Sequence, residues 1–215
     1  MTATLPQTAI NQTQRVVLEG ISWETYQTLL KEAGDQRATR FAYERGVLEI
    51  IMPSTWHEFL NRILEAMIRA LTEESNLRIR GCGSTTINRE DLECGVEPDS
   101  CFYIGNNVDR ILGRREINFQ TDPAPDLALE VDITSSSRRR FRIYRQLQIP
   151  EVWRYTEAKG LIIYQLQNNQ YVECEFSPTF PMISGTVLMQ FIELSETEDD
   201  NSIIRALREW LKQAR

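Results

Sequence analysis

Two short acidic segments hold the side chains best suited to chemistry: EPDS at 97–100 and PDLALEVD at 125–132. The first reads as the head of a strand over 97–104, the second as a strand over 126–134. Side chains alternate across a strand, so Glu130 and Asp132 share a face with Cα atoms about 6.5 Å apart. Charges are rarely buried without a partner, which makes a carboxylate inside an otherwise apolar strand a candidate for function. Two carboxylates on adjacent strands can chelate one hard cation. Mg²⁺ favours oxygen ligands, usually one or two carboxylates completed by waters and substrate phosphates. Asp99 and Glu130 are the candidate pair; the plainer reading has Asp99 capping a turn after Pro98 and Glu130 pairing with an arginine. Asp126 shares the face of Glu130 but lies about 13 Å along the strand, too far to share one ion.

A basic ridge follows. Five arginines (Arg138, Arg139, Arg140, Arg142, Arg145) and no acid lie between Ser136 and Gln146, although the chain carries a net charge of −7. That acidity argues against a protein that coats nucleic acid, yet one local ridge can still hold a phosphate backbone. A solvated helix face is the bland alternative. At helical spacing Arg140, Tyr144 and Leu147 share one face, and Arg139, Arg142 and Gln146 another. Arg140 is thus the arginine aimed at the carboxylates. The single histidine, His57, falls in line with Leu60, Leu64 and Leu71 at the edge of an apolar face, as a boundary or core histidine would. The serines at 135–137 read as a helix cap, since no histidine accompanies them as a base. Cys82, Cys94, Cys101 and Cys174 form no CxxC pair and read as reduced thiols, about half of them buried.

These residues need a framework. The first 14 residues are polar and aperiodic and read as a flexible tail, with one domain over 15–215. Short strands are expected over 15–19, 41–43, 47–52, 77–80, 84–88, 151–155, 161–166 and 171–176. Arg45-Gly46 marks a hairpin turn between the second and third. Ser22 caps a helix to about 33. A longer helix over 54–74 repeats Phe59, Leu60, Ile63, Leu64, Met67, Ile68 and Leu71 at helical period and forms one wall of the core. A helix over 135–147 follows the second acidic strand, and Ile203, Ile204, Leu207, Trp210 and Leu211 mark an amphipathic C-terminal helix. The stretch 105–125 reads as an irregular loop. The fold class is α/β, a central mixed sheet flanked by helices. No run of 18 apolar residues occurs and the N-terminus lacks a basic, apolar leader, so the expectation is a cytoplasmic protein with no membrane partner.

EPDS, then PDLALEVDITSSS, a helix reaching Tyr144, and IPEVWRY at 149–155 resemble, in order and spacing, the putative restriction endonuclease family of the PD-(D/E)XK nuclease superfamily, in its branch of small stand-alone bacterial proteins. The resemblance runs from about Arg15 to about Gly185. It implies a restriction-endonuclease-like core in which Asp99 and Glu130 hold Mg²⁺ or Mn²⁺ against a scissile phosphate of DNA, with Glu58 as a further acid and the Val131 carbonyl as a further ligand. His57, Asp132 and Tyr144 stand around them. A lysine normally completes such a site, in this branch four residues before the tyrosine, and Arg140 occupies that position here. Only Lys31, Lys159 and Lys212 exist in the chain, none near either acidic segment. Arginine keeps the charge and can fork onto phosphate, but it does not give up its proton.

The leading expectation is therefore a Mg-dependent DNA endonuclease in which Arg138, Arg139 and Arg142 grip the backbone, without organic cofactor and compatible with a homodimer. The alternative is a nuclease-fold protein with little or no turnover that binds nucleic acid or a protein partner, with Trp153 and the acidic stretch 193–200 as its first contact candidates.

Overall fold

A computed structural model describes residues 13–34, 37–133 and 137–214. The elements run β1 (Gln14–Glu19), α1 (Trp23–Ala33), β2 (Arg40–Glu44), β3 (Val47–Met52), α2 (Thr55–Glu74), β4 (Ile79–Gly83), β5 (Ile87–Arg89), β6 (Cys94–Val96), β7 (Ser100–Ile104), α3 (Asn107–Ile111), β8 (Leu127–Asp132), α4 (Arg138–Gln146), β9 (Glu151–Thr156), β10 (Gly160–Gln167), β11 (Gln170–Cys174), α5 (Gly185–Glu193) and α6 (Asp200–Gln213). The tail expected over 1–14 falls outside the described residues except for Thr13 and Gln14, and Gln14 already belongs to β1. The expected strand end at Thr134 and helix cap at Ser135 and Ser136 also lie outside them.

The strands form two sheets. A mixed six-stranded sheet has the order β11-β10-β9-β8-β7-β4, and a five-stranded sheet the order β1-β3-β2-β6-β5. Every pairing is antiparallel except β8 with β9, which α4 joins as a crossover. The mixed sheet flanked by helices is thus present as expected, but the N-terminal hairpin strands build a second sheet rather than extending it. Alternation shows which residues are strands and leaves open which strands pair.

Period-two patterning sets the layers. Leu127, Leu129 and Val131 of β8 pack with Phe102, Trp153 and the apolar stripe of α2, joined by α5 and α6. Ala128 faces the other way, toward Ile143 and Tyr144 of α4 and toward Ala42, Ile87, Cys94 and Val96 of the second sheet. By the same alternation Glu130 and Asp132 face α4. Ser54 caps α2 by accepting from the His57 amide at 3.2 Å, and Ser22 caps α1 by accepting from the Thr25 amide at 3.1 Å.

Three expectations change. The strand expected over 97–104 begins only at Ser100, as β7, because Pro98 cannot donate to a ladder, and a separate short strand, β6, precedes it. The loop over 105–125 contains α3. Trp153, expected as a partner contact, is fully buried against Phe180 in the core, and its Nε1 donates to Glu151 at 2.6 Å. Helix α5 was not expected, although Ser184 caps it and it buries the apolar side chains of Leu188, Phe191 and Ile192. The four cysteines are free, with Cys94 and Cys101 buried.

Candidate functional site

The register of the mixed sheet brings the acids together. Ser100 pairs with Leu129 in the antiparallel β7–β8 ladder, so Asp99, one residue earlier, stands level with Glu130, one residue later. The β8–α4–β9 crossover then lays the first turns of α4 over the face that carries Glu130. Helix α2 supplies the other wall. Asp99, Glu130, Asp132, His57, Arg140 and Tyr144 are all buried and converge here.

Arg140 Nη1 donates to Glu130 Oε2 and lies 3.8 Å from Asp99 Oδ2. Tyr144, one helical turn on, donates its hydroxyl to Glu130 Oε1. Asp99 is held more densely: the Val131 amide donates to Oδ2 at 2.8 Å, His57 Nε2 lies 3.0 Å from the same oxygen, and Arg40 Nε donates to Oδ1 at 3.0 Å. Asn61 Nδ2 donates to the Asp99 carbonyl at 3.2 Å, fixing the turn that presents the side chain.

These surroundings push the two acids apart. Burial opposes the Asp99 charge, but the His57 hydrogen bond and the guanidinium charges of Arg140 and Arg40 outweigh it and hold Asp99 well below the usual carboxylate range. Burial pushes Glu130 up to about 8; Arg140 and Tyr144 pull the other way, while Asp99 and Asp132 add to the rise. Burial alone would lower Arg140, yet the Glu130 and Asp99 carboxylates hold its pKa above the ordinary arginine value.

The other candidates take distinct places. Asp132 accepts from Arg154 Nε at 2.7 Å and from the Ser137 amide at 2.9 Å, tying β9 and the start of α4 to β8. Glu58 is partly exposed and accepts from Arg40 Nη2 at 2.7 Å, so Arg40 bridges Glu58 and Asp99. Arg142 pairs with Glu44 across to the second sheet, at 2.8 Å from its Nε. Arg138 is exposed, and the Arg139 Nε is buried without a partner. Asp126 accepts from the Ile104 amide and from Asn107 Nδ2, both at 2.7 Å, as a strand-entry residue.

Arg40, Asn61 and Arg154 were not singled out by the sequence. Arg40 lies 59 positions before Asp99, and no local pattern distinguishes it from the other arginines. Arg154 opposes Glu130 in the parallel β8–β9 register, a pairing that no pattern along the chain announces.

The donor chemistry of Asp99 and Glu130 is that of a hard divalent ion. Each of their four carboxylate oxygens nevertheless has a protein partner already, and the cation lying against both groups is the Arg140 guanidinium. Among the described residues no three His, Cys, Asp or Glu side chains are placed to hold one metal. The two acids suit Mg²⁺ by type, and Arg140 must leave them before they can hold it.

The register of β7 and β8 thus brings two acids level, and α4 lays a cation onto them. A family model described as "Putative restriction endonuclease" matches residues 23–195, and the chain belongs to that family. Among solved structures, a "putative nuclease belonging to DUF820" from Anabaena variabilis ATCC 29413 shares the fold, with a TM-score of 0.50 and 16% identity over 89% of this chain and 99% of that one. No curated protein matches the chain. No helix among the described residues is long and apolar enough to cross a membrane.

Proposed function

We propose that this protein is a divalent-metal-dependent endonuclease that hydrolyses phosphodiester bonds in DNA. The observation that carries the reading is the convergence of Asp99, Glu130 and Arg140 at one buried point on the sheet. Asp99 and Glu130 are the residues to hold Mg²⁺ or Mn²⁺, which when bound supplies Lewis-acid polarisation of the phosphoryl oxygen. Arg140 turns from the carboxylates to the phosphate, where its fork of N–H donors matches two phosphate oxygens and stabilises the charge that develops during displacement. Tyr144 steadies Glu130 by its hydrogen bond, and His57 and Arg40 hold Asp99 in its rotamer. Arg138 and Arg139, at the start of the same helix, take flanking phosphates. Arg140 cannot accept the proton of the attacking water, so turnover is slow.

The closed hydrogen-bond network favours a second reading, in which the fold binds DNA without cutting it. Plasmid nicking in Mg²⁺ or Mn²⁺ separates the two. Nicking by wild type that is lost in Glu130→Ala supports the endonuclease. Equal, background nicking by both proteins, with DNA affinity that falls steeply with salt, replaces it with the binding reading. Neither nicking nor binding overturns both.

A further inference from the structure

Strand β1 is an edge strand with unusual exposure. It pairs with β3 on one side, and among the described residues no strand lies on its other side. All six of its residues are exposed. Val16, Val17 and Leu18 show 52%, 37% and 38% of their surface, and Met52 of neighbouring β3 shows 45%. Edge strands are normally blunted by charge, proline or a bulge, because a bare row of N–H and C=O groups recruits another strand. The run of Val16, Val17 and Leu18 has none of these devices within it.

The sequence of β1 is complementary to itself. In an antiparallel ladder directly opposed residues share a face, and a two-fold axis normal to the sheet preserves faces. Such an axis must therefore pass midway between one residue and its own copy. Centred on Val17, it sets Val17 against Val17, Val16 against Leu18 and Arg15 against Glu19 of the second copy. Centred on Val16, it sets Arg15 against Val17; centred on Leu18, it sets Val17 against Glu19. Only the Val17 register matches apolar with apolar and cation with anion at every step. Arg15 already pairs with the buried Glu49 of β3 but stays over a third exposed, so its outer donors can meet Glu19 of the other copy. Cross-strand pairs of these types stabilise a ladder, and opposed like charges destabilise it.

We infer that β1 is a homodimerisation edge, on which a second copy of this chain pairs antiparallel through its own β1 about Val17 and joins the two five-stranded sheets into one of ten strands. Six residues of edge pairing make a small interface, so the dimer forms and dissociates with concentration.

Sedimentation equilibrium of the full chain over a range of concentrations, combined with oxidative cross-linking of two cysteine variants, tests the register. Wild type is expected to dimerise. Glu19→Arg, which opposes arginines twice per dimer, weakens the dimer about tenfold. Val17→Cys cross-links on oxidation, since directly opposed Cα atoms stand about 4.5–5.5 Å apart, within disulfide range. Val16→Cys does not, because the two copies of that residue sit diagonally, about 7–8 Å apart. Wild type controls for the native Cys82 and Cys174, and circular dichroism confirms that each variant is folded. A monomer at every concentration overturns the proposal, whether or not another segment of the same chain covers the edge. So does a dimer in which the Val17→Cys variant fails to cross-link, or in which Val16→Cys cross-links equally well. Should Glu19→Arg not fold, the two cysteine variants still decide the matter.

Discussion

The guanidinium of Arg140 donates to the buried carboxylate of Glu130 from the first turn of α4, while Tyr144 takes the other oxygen of the same group. The pair joins the crossover helix to the central strand of the mixed sheet. It also fills with a fixed positive charge the place where the family resemblance sets a lysine and a metal. Charge pairs this deeply buried gain little over an apolar replacement of both partners, but losing one partner leaves the other charge stranded.

Arg140→Ala is therefore expected to cost about 3–5 kcal/mol of folding stability, read as a lower urea midpoint at unchanged slope. Adding Glu130→Gln to Arg140→Met should restore much of that loss, since no buried charge is then left alone. An Arg140→Ala midpoint equal to wild type would show that the guanidinium supports nothing in the fold.

Exchange of Arg140 for lysine probes the chemistry. Lysine keeps the charge but can release its proton when buried, so Arg140→Lys is expected to raise Mn²⁺-supported nicking by about tenfold or more, through general base assistance. Unchanged nicking in that variant would place the slow step elsewhere than proton transfer.

The basic ridge divides by its partners. Arg138 is exposed, whereas Arg142 is engaged by Glu44. In DNA-binding titrations Arg138→Ala should flatten the dependence of log K on log salt by about 0.9, and Arg142→Ala by clearly less. Equal effects would mean that Glu44 releases Arg142 on binding.

Away from the site, Glu151 gathers Trp153 Nε1 and the Ser177 hydroxyl at 2.6 Å each, with the Thr179 hydroxyl at 2.6 Å and its amide at 3.1 Å. Glu151→Ala strands several buried donors and is expected to cost about 3 kcal/mol. Because Glu151 touches no candidate site residue, DNA binding by the folded fraction should be unaffected. A variant as stable as wild type would show that water or neighbouring groups replace the carboxylate.

Much of this could be read along the chain. The hairpin around Arg45-Gly46, the long helix α2 and its cap at Ser54, and the shared face of Glu130 and Asp132 all follow from local periodicity and turn chemistry, which act between residues a few positions apart. Spacing on α4 also put Arg140 and Tyr144 on one face. Missed elements had weaker local signals: β6 is three residues long, and α5 begins with the Gly185-Thr186 pair rather than an apolar run.

Which acid meets which cation was decided only by tertiary structure. Asp99 is level with Glu130 because β7 and β8 pair in one register, and a shift by one residue would turn Asp99 to the opposite face. His57, expected at the edge of an apolar stripe, lies inside the site because the start of α2 brings its Nε2 within 3.0 Å of Asp99. Arg40 reaches Asp99 from a different sheet altogether. Residue types, and which of them share a helix or strand face, are legible along the chain. Their convergence depended on contacts tens of residues apart, whose energies come from packing the two sheets and α4 around one core, and no local pattern records that packing.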